Sequence, residues 1–323
     1  MLANVTDKRT VQSTEPDLWK LVGGTPLITL THAVAEDQPG LQLSLKAEWL
    51  NPGGSVKDRP ARQILRAGLT RGLLPNRRLL DASSGNTAVA YAMLGAAAAV
   101  GVTVCVPTNV SAERRMLLQA YGAEVIDTDP LEGSDGAIRR AREVAAAEPD
   151  RYWYANQYDN PANVEAHYLT TGPEIWRDTG GTITHLVAGV GTGGTLMGAG
   201  KFLREQQPTI RLIAVEPDSA FHGLEGLKHM ASAIVPAIYD RSVVDETVYV
   251  STEDAEKKVR ELALSHGIFV GWSSGAAVAA AEKLLDDHVI AGSGGKVIVV
   301  IAPDGGTRYL SEDGRLWEDH RCG

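Results

Sequence analysis

Cysteine is scarce in this sequence, which has only Cys105 and Cys322 among 323 residues. Cys105 lies in the apolar run VTVCVP and has the character of a small buried hydrophobic residue. Cys322 is the penultimate residue, where chains usually fray. This pattern argues against a disulfide framework and favours a reducing compartment, so we predict a cytoplasmic protein.

Long apolar runs and an excess of positive charge are also missing, and we expect no signal peptide. The N-terminal segment MLANVTDKRTVQ has no apolar core of a signal peptide. The longest apolar stretch, residues 88–107, is interrupted by Gly95 and Gly101 and predicts a helix, a turn and a strand rather than a membrane span. The net charge of −9 argues against a nucleic-acid partner, because phosphate backbones need clustered cations. We therefore expect no membrane partner, no nucleic-acid partner and no metal site.

The remaining pattern is a regular alternation of strands and helices. Strand signals such as LLDASS (79–84) and KVIVVIAP (296–303) alternate with helical signals such as NTAVAYAMLGAAAAV (86–100). Such alternation predicts mostly parallel sheets covered by helices, an α/β fold. Around residues 157–168, Pro161 and neighbouring asparagines interrupt the pattern, which predicts a break between two α/β halves.

Ligands of such folds bind in the loops that follow the carboxyl ends of the strands. Two of these loops, SSGNT (83–87) and GWSSGAA (271–277), are compatible with a helix cap or with a ligand contact. A third, GVGTGGT (189–195), joins a strand to a helix and predicts a phosphate cradle. Its glycine spacing, with Glu216 22 residues after Gly194, also matches a dinucleotide fingerprint, which leaves an NAD-binding half as the alternative.

Lys57, in the stretch NPGGSVKDRP (51–60), is the only strong nucleophile candidate in any of these loops. A lysine is most often a solvated surface charge, but this one follows a short glycine loop in a chain that has a separate phosphate cradle. It could form a Schiff base with an aldehyde cofactor whose phosphate binds at 191–195. For Asp58 and Arg59 we expect only a structural role as a charge pair at a helix start, worth little if exposed.

These features together resemble the pyridoxal-phosphate enzymes of fold type II, the tryptophan synthase β-like fold. Within them the chain resembles the cysteine synthase and cystathionine β-synthase family, closest to its CysM-like, O-phosphoserine-using cysteine synthases. The resemblance runs from GGTPLITL (23–30) to RYLS (308–311), and it disposes of the NAD alternative. It is carried by the stretches NPGGSVKDRPA, SSGNT, VPTNVSAERRMLLQAYGAEV, QYDNPAN, HYLTTGPEIW, AGVGTGGTLMG and SSGAAVAAA.

The resemblance implies two three-layer α/β/α domains of mostly parallel sheets. The smaller domain would span residues 48–160 and carry the Schiff-base lysine. The larger domain would combine residues 1–47 with 161–323 and carry the phosphate loop.

The resemblance also implies roles for single residues. Lys57 would hold pyridoxal 5'-phosphate and later act as the general base, Asn86 would bind the ring hydroxyl, and Ser273 would face the pyridine nitrogen. A serine cannot keep that nitrogen protonated as a carboxylate can, which favours loss of a β-leaving group. The cofactor phosphate would be bound by Gly191, Thr192, Gly193, Gly194 and Thr195. The substrate carboxylate would be bound by Ser83, Ser84, Gly85, Thr87 and Gln157.

The implied reaction is β-replacement on an O-activated L-serine, either O-phosphoserine or O-acetylserine, through an aminoacrylate. Sulfide or a sulfur donor, which could be a sulfur-carrier protein, would then give L-cysteine. The same chemistry with an amine or with homocysteine, as in diaminopropionate-type or cystathionine β-synthase-type enzymes, stays open. A catalytically idle or partner-binding family member is a further alternative, but the intact set of Lys57, Asn86 and GTGGT (191–195) argues against it. A homodimer is a further family expectation.

Three departures from the family pattern concern the substrate. SSGNTA replaces the usual TSGNTG, and Trp272 stands where a smaller residue is common, which predicts a reshaped pocket. The segment FHGLEGLKHM (221–230) lacks the HKIQGIG pattern of acetylserine-using members. Lys228 aligns with the basic side chain that contacts the substrate phosphate in O-phosphoserine-using enzymes, and His222 and His229 are weaker candidates. The alternative for Lys228 is an exposed helix lysine.

Overall fold

The structure is a computed structural model that describes residues 15–30, 40–83, 85–286 and 295–310. The strands are β1 (Leu27–Thr29), β2 (Leu41–Ala47), β3 (Arg78–Ala82), β4 (Val102–Pro107), β5 (Glu124–Thr128), β6 (Tyr152–Tyr154), β7 (His185–Gly189), β8 (Arg211–Pro217), β9 (Glu246–Val250) and β10 (Lys296–Ala302). The α-helices are α1 (Asp17–Lys20), α2 (Asp58–Thr70), α3 (Asn86–Ala97), α4 (Ala112–Ala120), α5 (Gly133–Ala147), α6 (Pro161–Ala166), α7 (Gly172–Asp178), α8 (Gly194–Gln206), α9 (Thr252–His266) and α10 (Trp272–Asp286).

The strands form two sheets. One has four parallel strands in the order β5-β4-β3-β6, and the other has six in the order β1-β2-β10-β7-β8-β9. Among the described strands only β1 runs antiparallel to its neighbour, β2. This arrangement confirms the predicted α/β fold class of mostly parallel sheets. The division into domains at residues 48 and 160 stays a prediction.

Helices cover both faces of each sheet, because successive residues of a strand point to opposite sides. In β10, Ile298 and Val300 pack in the same apolar cluster as α9 and α10, whereas Val299 and Ile301 pack with α8. In the smaller sheet, Leu79 packs with α2 and α3 and Leu80 packs with α5. These alternating contacts produce the three layers of each half. Within the described part of the chain, no helix is both long enough and apolar enough to span a membrane.

The predicted break near residues 157–168 is the start of helical structure. Asn160 accepts a hydrogen bond from the amide of Ala162, and Pro161 occupies the first turn, where a missing amide hydrogen costs nothing. Helix α6 then continues through a π-helical stretch, His167–Thr171, into α7. The sequence pattern did not predict α7, β1 or β9.

Asp58 and Arg59 do not form the charge pair with each other that we expected at the helix start. Both side chains are buried, and Asp58 accepts a hydrogen bond from the amide of Gly53. Arg59 instead binds Glu48 and Glu174, each at 2.7 Å. These contacts tie the start of α2 to β2 and α7, because Glu48 directly follows β2 and Glu174 lies in α7. The residue that follows Lys57 by two positions is thus held in a buried ionic network.

Candidate active site

A cavity of about 670 Å³ lies at the carboxyl ends of strands from both sheets. Its wall includes Ala82 at the end of β3, Pro107 at the end of β4 and Gly189 at the end of β7. This is the position at which parallel α/β sheets bind ligands. Most of the site residues predicted from the sequence line it, namely Lys57, Ser83, Gly85, Asn86, Thr87, Gln157, Gly191, Thr192, Gly193, Thr195, Lys228 and Ser273. His222 lines it as well.

Two predicted residues among those that the structure describes, Gly194 and His229, are not on this wall. Gly194 is buried behind the loop, where its amide donates to the hydroxyl of Thr192 at 3.3 Å. His229 hydrogen-bonds Ser232 at 2.8 Å outside the cavity lining. Ser84 lies outside the described residues. Trp272 packs against Tyr309 rather than lining the cavity, with ring centres 6.0 Å apart.

Lys57 lies on the cavity wall directly before α2. Its amide donates to the hydroxyl of Ser55 at 3.3 Å, and Ser55 forms an isolated β-bridge with Asp304. Burial lowers the pKa of the Lys57 amine, while the charges of Asp304 and Glu48 act in the opposite direction. A lowered pKa increases the neutral, nucleophilic fraction of this amine at neutral pH.

Asn86 is held at both ends of its amide group. Its Nδ2 donates to Asp304 Oδ2 at 2.6 Å, and its Oδ1 accepts from Arg308 Nη1 at 2.9 Å. Tyr309 donates its hydroxyl to the same carboxylate oxygen at 2.6 Å. These contacts fix which end of the amide faces which neighbour. Sequence reasoning missed Asp304, Arg308 and Tyr309, although the last two begin the RYLS stretch that it had quoted.

The glycine loop before α8 has little room for side chains. A methyl group on Gly191 would collide with the carbonyl oxygen of Gly226, and Gly193 has a left-handed backbone with φ of 84°. Both glycines are therefore required by the path of the chain. Thr192 accepts a hydrogen bond from Asn163 at 3.1 Å, and Thr195 contacts the ring of the buried His167 at 3.2 Å. The loop leads into the N-terminus of a thirteen-residue helix, an arrangement suited to a phosphate.

The loop after β3 is braced by Gln157. Thr87 donates its hydroxyl to Gln157 Oε1 at 2.8 Å, and Gln157 Nε2 donates to the carbonyl of Ala82 at 2.9 Å. Asp81 accepts a hydrogen bond from the amide of Gln157 at 3.1 Å, and burial raises the pKa of this carboxyl to about 7. The four residues hold the end of β3 and the start of α3 against the segment after β6. Ser273, in the first turn of α10, is buried at the cavity wall.

Lys228 is buried rather than an exposed helix lysine. It lies outside the helices, and its Nζ binds Asp135 Oδ1 at 2.9 Å. The same Nζ is 4.9 Å from the centre of the Tyr158 ring. Asp135 belongs to α5 on the smaller sheet, so this contact crosses the cavity. The amine is positioned to face a ligand, but a carboxylate already partners it.

The residues present fit pyridoxal phosphate. One cavity holds a partly buried amine for the cofactor aldehyde and a fixed amide for its ring hydroxyl. It also holds a glycine loop whose open space larger residues would fill, and which is left for the cofactor phosphate. Lys57, Asn86 and Ser273 would hold the ring, and residues 191–195 would hold the phosphate. No group of three or more His, Cys, Asp or Glu residues suited to a metal ion occurs in the described part of the chain.

Comparisons with known proteins agree with this geometry. Residues 18–304 match the family described as "Pyridoxal-phosphate dependent enzyme". A cysteine synthase of Aquifex aeolicus is 50% identical over 294 residues, which are 90% of either chain. A crystal structure of a cysteine synthase from Entamoeba histolytica superposes with a TM-score of 0.86 and 33% identity, over 100% of this chain and 96% of that one. A crystal structure of O-ureido-L-serine synthase superposes with a TM-score of 0.85 and 35% sequence identity, over 95% of this chain and 96% of that one. The chain belongs to the family of pyridoxal-phosphate dependent enzymes.

Proposed function

We propose that the protein is a cysteine synthase. It replaces the leaving group of an O-activated L-serine with a sulfur nucleophile and uses pyridoxal phosphate bound to Lys57. The observation that carries this proposal is the convergence of the Lys57 amine and the glycine loop 191–195 on one cavity. The 50% identity to a cysteine synthase over 90% of the chain supports the substrate class.

Bound pyridoxal phosphate supplies an aldehyde that takes up amines and a ring that withdraws electrons from the substrate α-carbon. Lys57 holds this group and, once exchanged for the substrate amine, accepts the α-proton. Burial supports this second task because it lowers the pKa of the Lys57 amine and so favours the neutral form that can act as a base. The buried hydroxyl of Ser273 offers the ring nitrogen a neutral partner.

The substrate carboxylate is bound at the start of α3. Ser83, Gly85 and Thr87 line the cavity there, and the helix start contributes amides that have no partner within the helix. Gln157 fixes Thr87 by a hydrogen bond, so the loop is ordered before the substrate arrives. A preordered loop lowers the entropy that binding must overcome.

Lys228 selects the leaving group. Its amine lies at the cavity wall and is paired with the carboxylate of Asp135. A phosphate on the substrate carries two negative charges near neutral pH and can compete with Asp135 for this amine, whereas a neutral acetyl group cannot. O-phosphoserine is therefore the favoured substrate.

Borohydride reduction of the purified protein, followed by peptide mapping, tests the function directly. The expected result is one pyridoxyl label, located on Lys57, with loss of that label and of cysteine formation in Lys57→Ala. Sulfide, thiosulfate, an amine and homocysteine are then compared as nucleophiles. A label elsewhere, no label, or faster turnover with a nucleophile other than the sulfur donors would contradict the proposal.

The nucleophile needs this comparison because one solved relative is named for O-ureido-L-serine rather than for cysteine. The homodimer, the sulfur-carrier partner and the cytoplasmic location stay predictions from the sequence. Size-exclusion chromatography with light scattering tests the first of these three.

A further inference from the structure

An ion pair at the cavity wall joins the two halves of the site. Arg114, in α4, binds the carboxylate of Glu225 through both terminal nitrogens, and its Nη2 is 2.8 Å from Oε2. Both residues line the cavity. Helix α4 follows a strand of the four-stranded sheet, whereas Glu225 lies between β8 and β9 of the six-stranded sheet. The pair therefore spans the cleft between the sheets.

The two partners differ in how firmly they are held. The side chain of Arg114 is 8% exposed, and its guanidinium lies 5.5 Å from the centre of the Tyr309 ring. Tyr309 is itself buried and hydrogen-bonded to Asp304. The side chain of Glu225 is 33% exposed. Glu225 is thus the member of the pair that can leave, and Arg114 is the fixed cation.

The carboxylate of Glu225 also lies beside the proposed substrate loop. A methyl group built on Gly85 would be 3.6 Å from Glu225 Oε1. Gly85 is the residue directly before α3, in the loop assigned above to the substrate carboxylate. A substrate carboxylate bound in this loop would lie close to Glu225, and two carboxylates close together repel each other. Glu225 and an amino-acid substrate consequently compete for the same place.

We propose that Glu225 is a specificity-determining residue that occupies the place of the substrate carboxylate beside Gly85. The carboxylate of an amino-acid substrate binds by displacing Glu225 from Arg114, and Arg114 then faces the bound carboxylate. Ligands that lack a carboxylate gain nothing from this exchange. The inference rests on the function proposed above. It adds that a side chain of the protein, Glu225, competes with the substrate for its binding site.

The test is an equilibrium titration of the holoenzyme with L-serine and with L-serinamide, which has an amide in place of the carboxylate. Binding is followed by the absorbance of the bound cofactor. In Glu225→Gln the competing charge and its ion pair with Arg114 are lost, so the dissociation constant for L-serine should fall about tenfold. In Arg114→Gln the Glu225 carboxylate stays without its cation, and the same constant should rise about tenfold.

Opposite signs distinguish competition from a merely structural ion pair, since loss of a structural contact would weaken L-serine binding in both variants. The constant for L-serinamide should stay within about twofold of wild type in both variants. Arg114→Lys keeps the charge, and it should remain closer to wild type than Arg114→Gln does. The double variant reports the coupling between the two residues.

The inference is wrong if the dissociation constant for L-serine changes in the same direction in Glu225→Gln and Arg114→Gln. It is also wrong if the constant for L-serinamide shifts in parallel with that for L-serine. If wild-type protein responds to neither ligand, the proposed function fails first and this inference fails with it. If wild-type protein binds both ligands and Glu225→Gln has no effect on either constant, Glu225 is not a competitor. The proposed function then still stands.

Discussion

Asn86 donates a hydrogen bond to Asp304 across 218 positions of the chain, at 2.6 Å. Burial raises the pKa of the Asp304 carboxyl, although the hydroxyl of Tyr309 and the amide of Asn86 both stabilise its charged form. The last described loop of the chain thus orients the amide proposed to bind the cofactor ring. Arg308 completes the clamp from the opposite end of that amide.

Asp304→Asn is expected to lower kcat about tenfold, because the Asn86 amide loses a charged acceptor that fixes its orientation. The absorption spectrum of the bound cofactor should change as well, while circular dichroism shows that the protein stays folded, which separates the clamp from a global loss of stability. Tyr309→Phe keeps the Asn86 contact and the ring packing, so it should retain most of the activity. Unchanged kcat and spectrum in Asp304→Asn would show that the clamp has no role in the reaction.

Lys228→Met is expected to lower the ratio of kcat/KM for O-phosphoserine to that for O-acetylserine by about 10- to 100-fold. The reason is that the variant removes the one cation proposed to face the leaving phosphate. Asp135→Asn provides a control of opposite sign, since it frees the Lys228 amine from its partner at 2.9 Å and should raise the same ratio. The proposal is wrong if the ratio is the same in wild type and Lys228→Met.

Arg59→Met is expected to lower the free energy of unfolding by about 3–5 kcal/mol, because it leaves buried Glu48 without its ion-pair partner and Glu174 with only Lys46, at 2.9 Å. Chemical denaturation monitored by tryptophan fluorescence measures the change. Arg140→Met breaks the surface pair with Glu143 and should cost less than about 1 kcal/mol. Similar losses in the two variants would mean that burial of the network has no energetic weight.

His167 makes stability depend on pH. Burial, with a smaller effect from the charge of Arg59, lowers the pKa of this imidazole to about 3. The folded protein therefore keeps the ring neutral while the unfolded chain takes up a proton near its ordinary value of 6.5. This contribution to stability is present in full above pH 6.5 and is lost as the pH falls toward 3.

His167→Gln should accordingly give a shallower decline of the unfolding free energy between pH 7 and pH 4 than wild type. His185, whose pKa burial lowers to about 4, remains in both proteins and keeps part of the slope. Unfolding curves at unit pH steps measure the effect, and values at pH 8 provide the reference at which neither state binds the proton. Parallel pH profiles would rule out His167 as the source.

The sequence predicted the fold class, and it selected Lys57, which the structure places on the cavity wall, because both depend on local patterns. The spacing of apolar residues that predicts strands and helices can be recognised within short stretches of sequence, and Lys57 follows a distinctive glycine loop. The buried network of Arg59 could not be inferred in this way, since Glu174 lies 115 positions away and no spacing rule connects the two. The same holds for Glu225, which is 111 positions from Arg114.

Lys228 shows a second limit of sequence reasoning. The alignment brought it to the site, but an exposed lysine was the alternative, and only the tertiary structure decides which of the two it is. Its burial depends on Asp135 and Tyr158, which belong to the other sheet's half of the molecule. Lys228 is buried by residues from a distant part of the chain, so no pattern of apolar and polar residues in its own segment predicts its burial.

The position of β10 has a consequence for synthesis on the ribosome. This strand is the last of the described ones in the chain, yet it lies in the interior of the six-stranded sheet between β2 and β7. The four-stranded sheet uses only residues 78–154 and can assemble early. In the larger sheet, the edges of β2 and β7 that pair with β10 stay unpaired until β10 has been synthesised. We therefore expect the nascent six-stranded sheet, rather than the four-stranded one, to need chaperone protection.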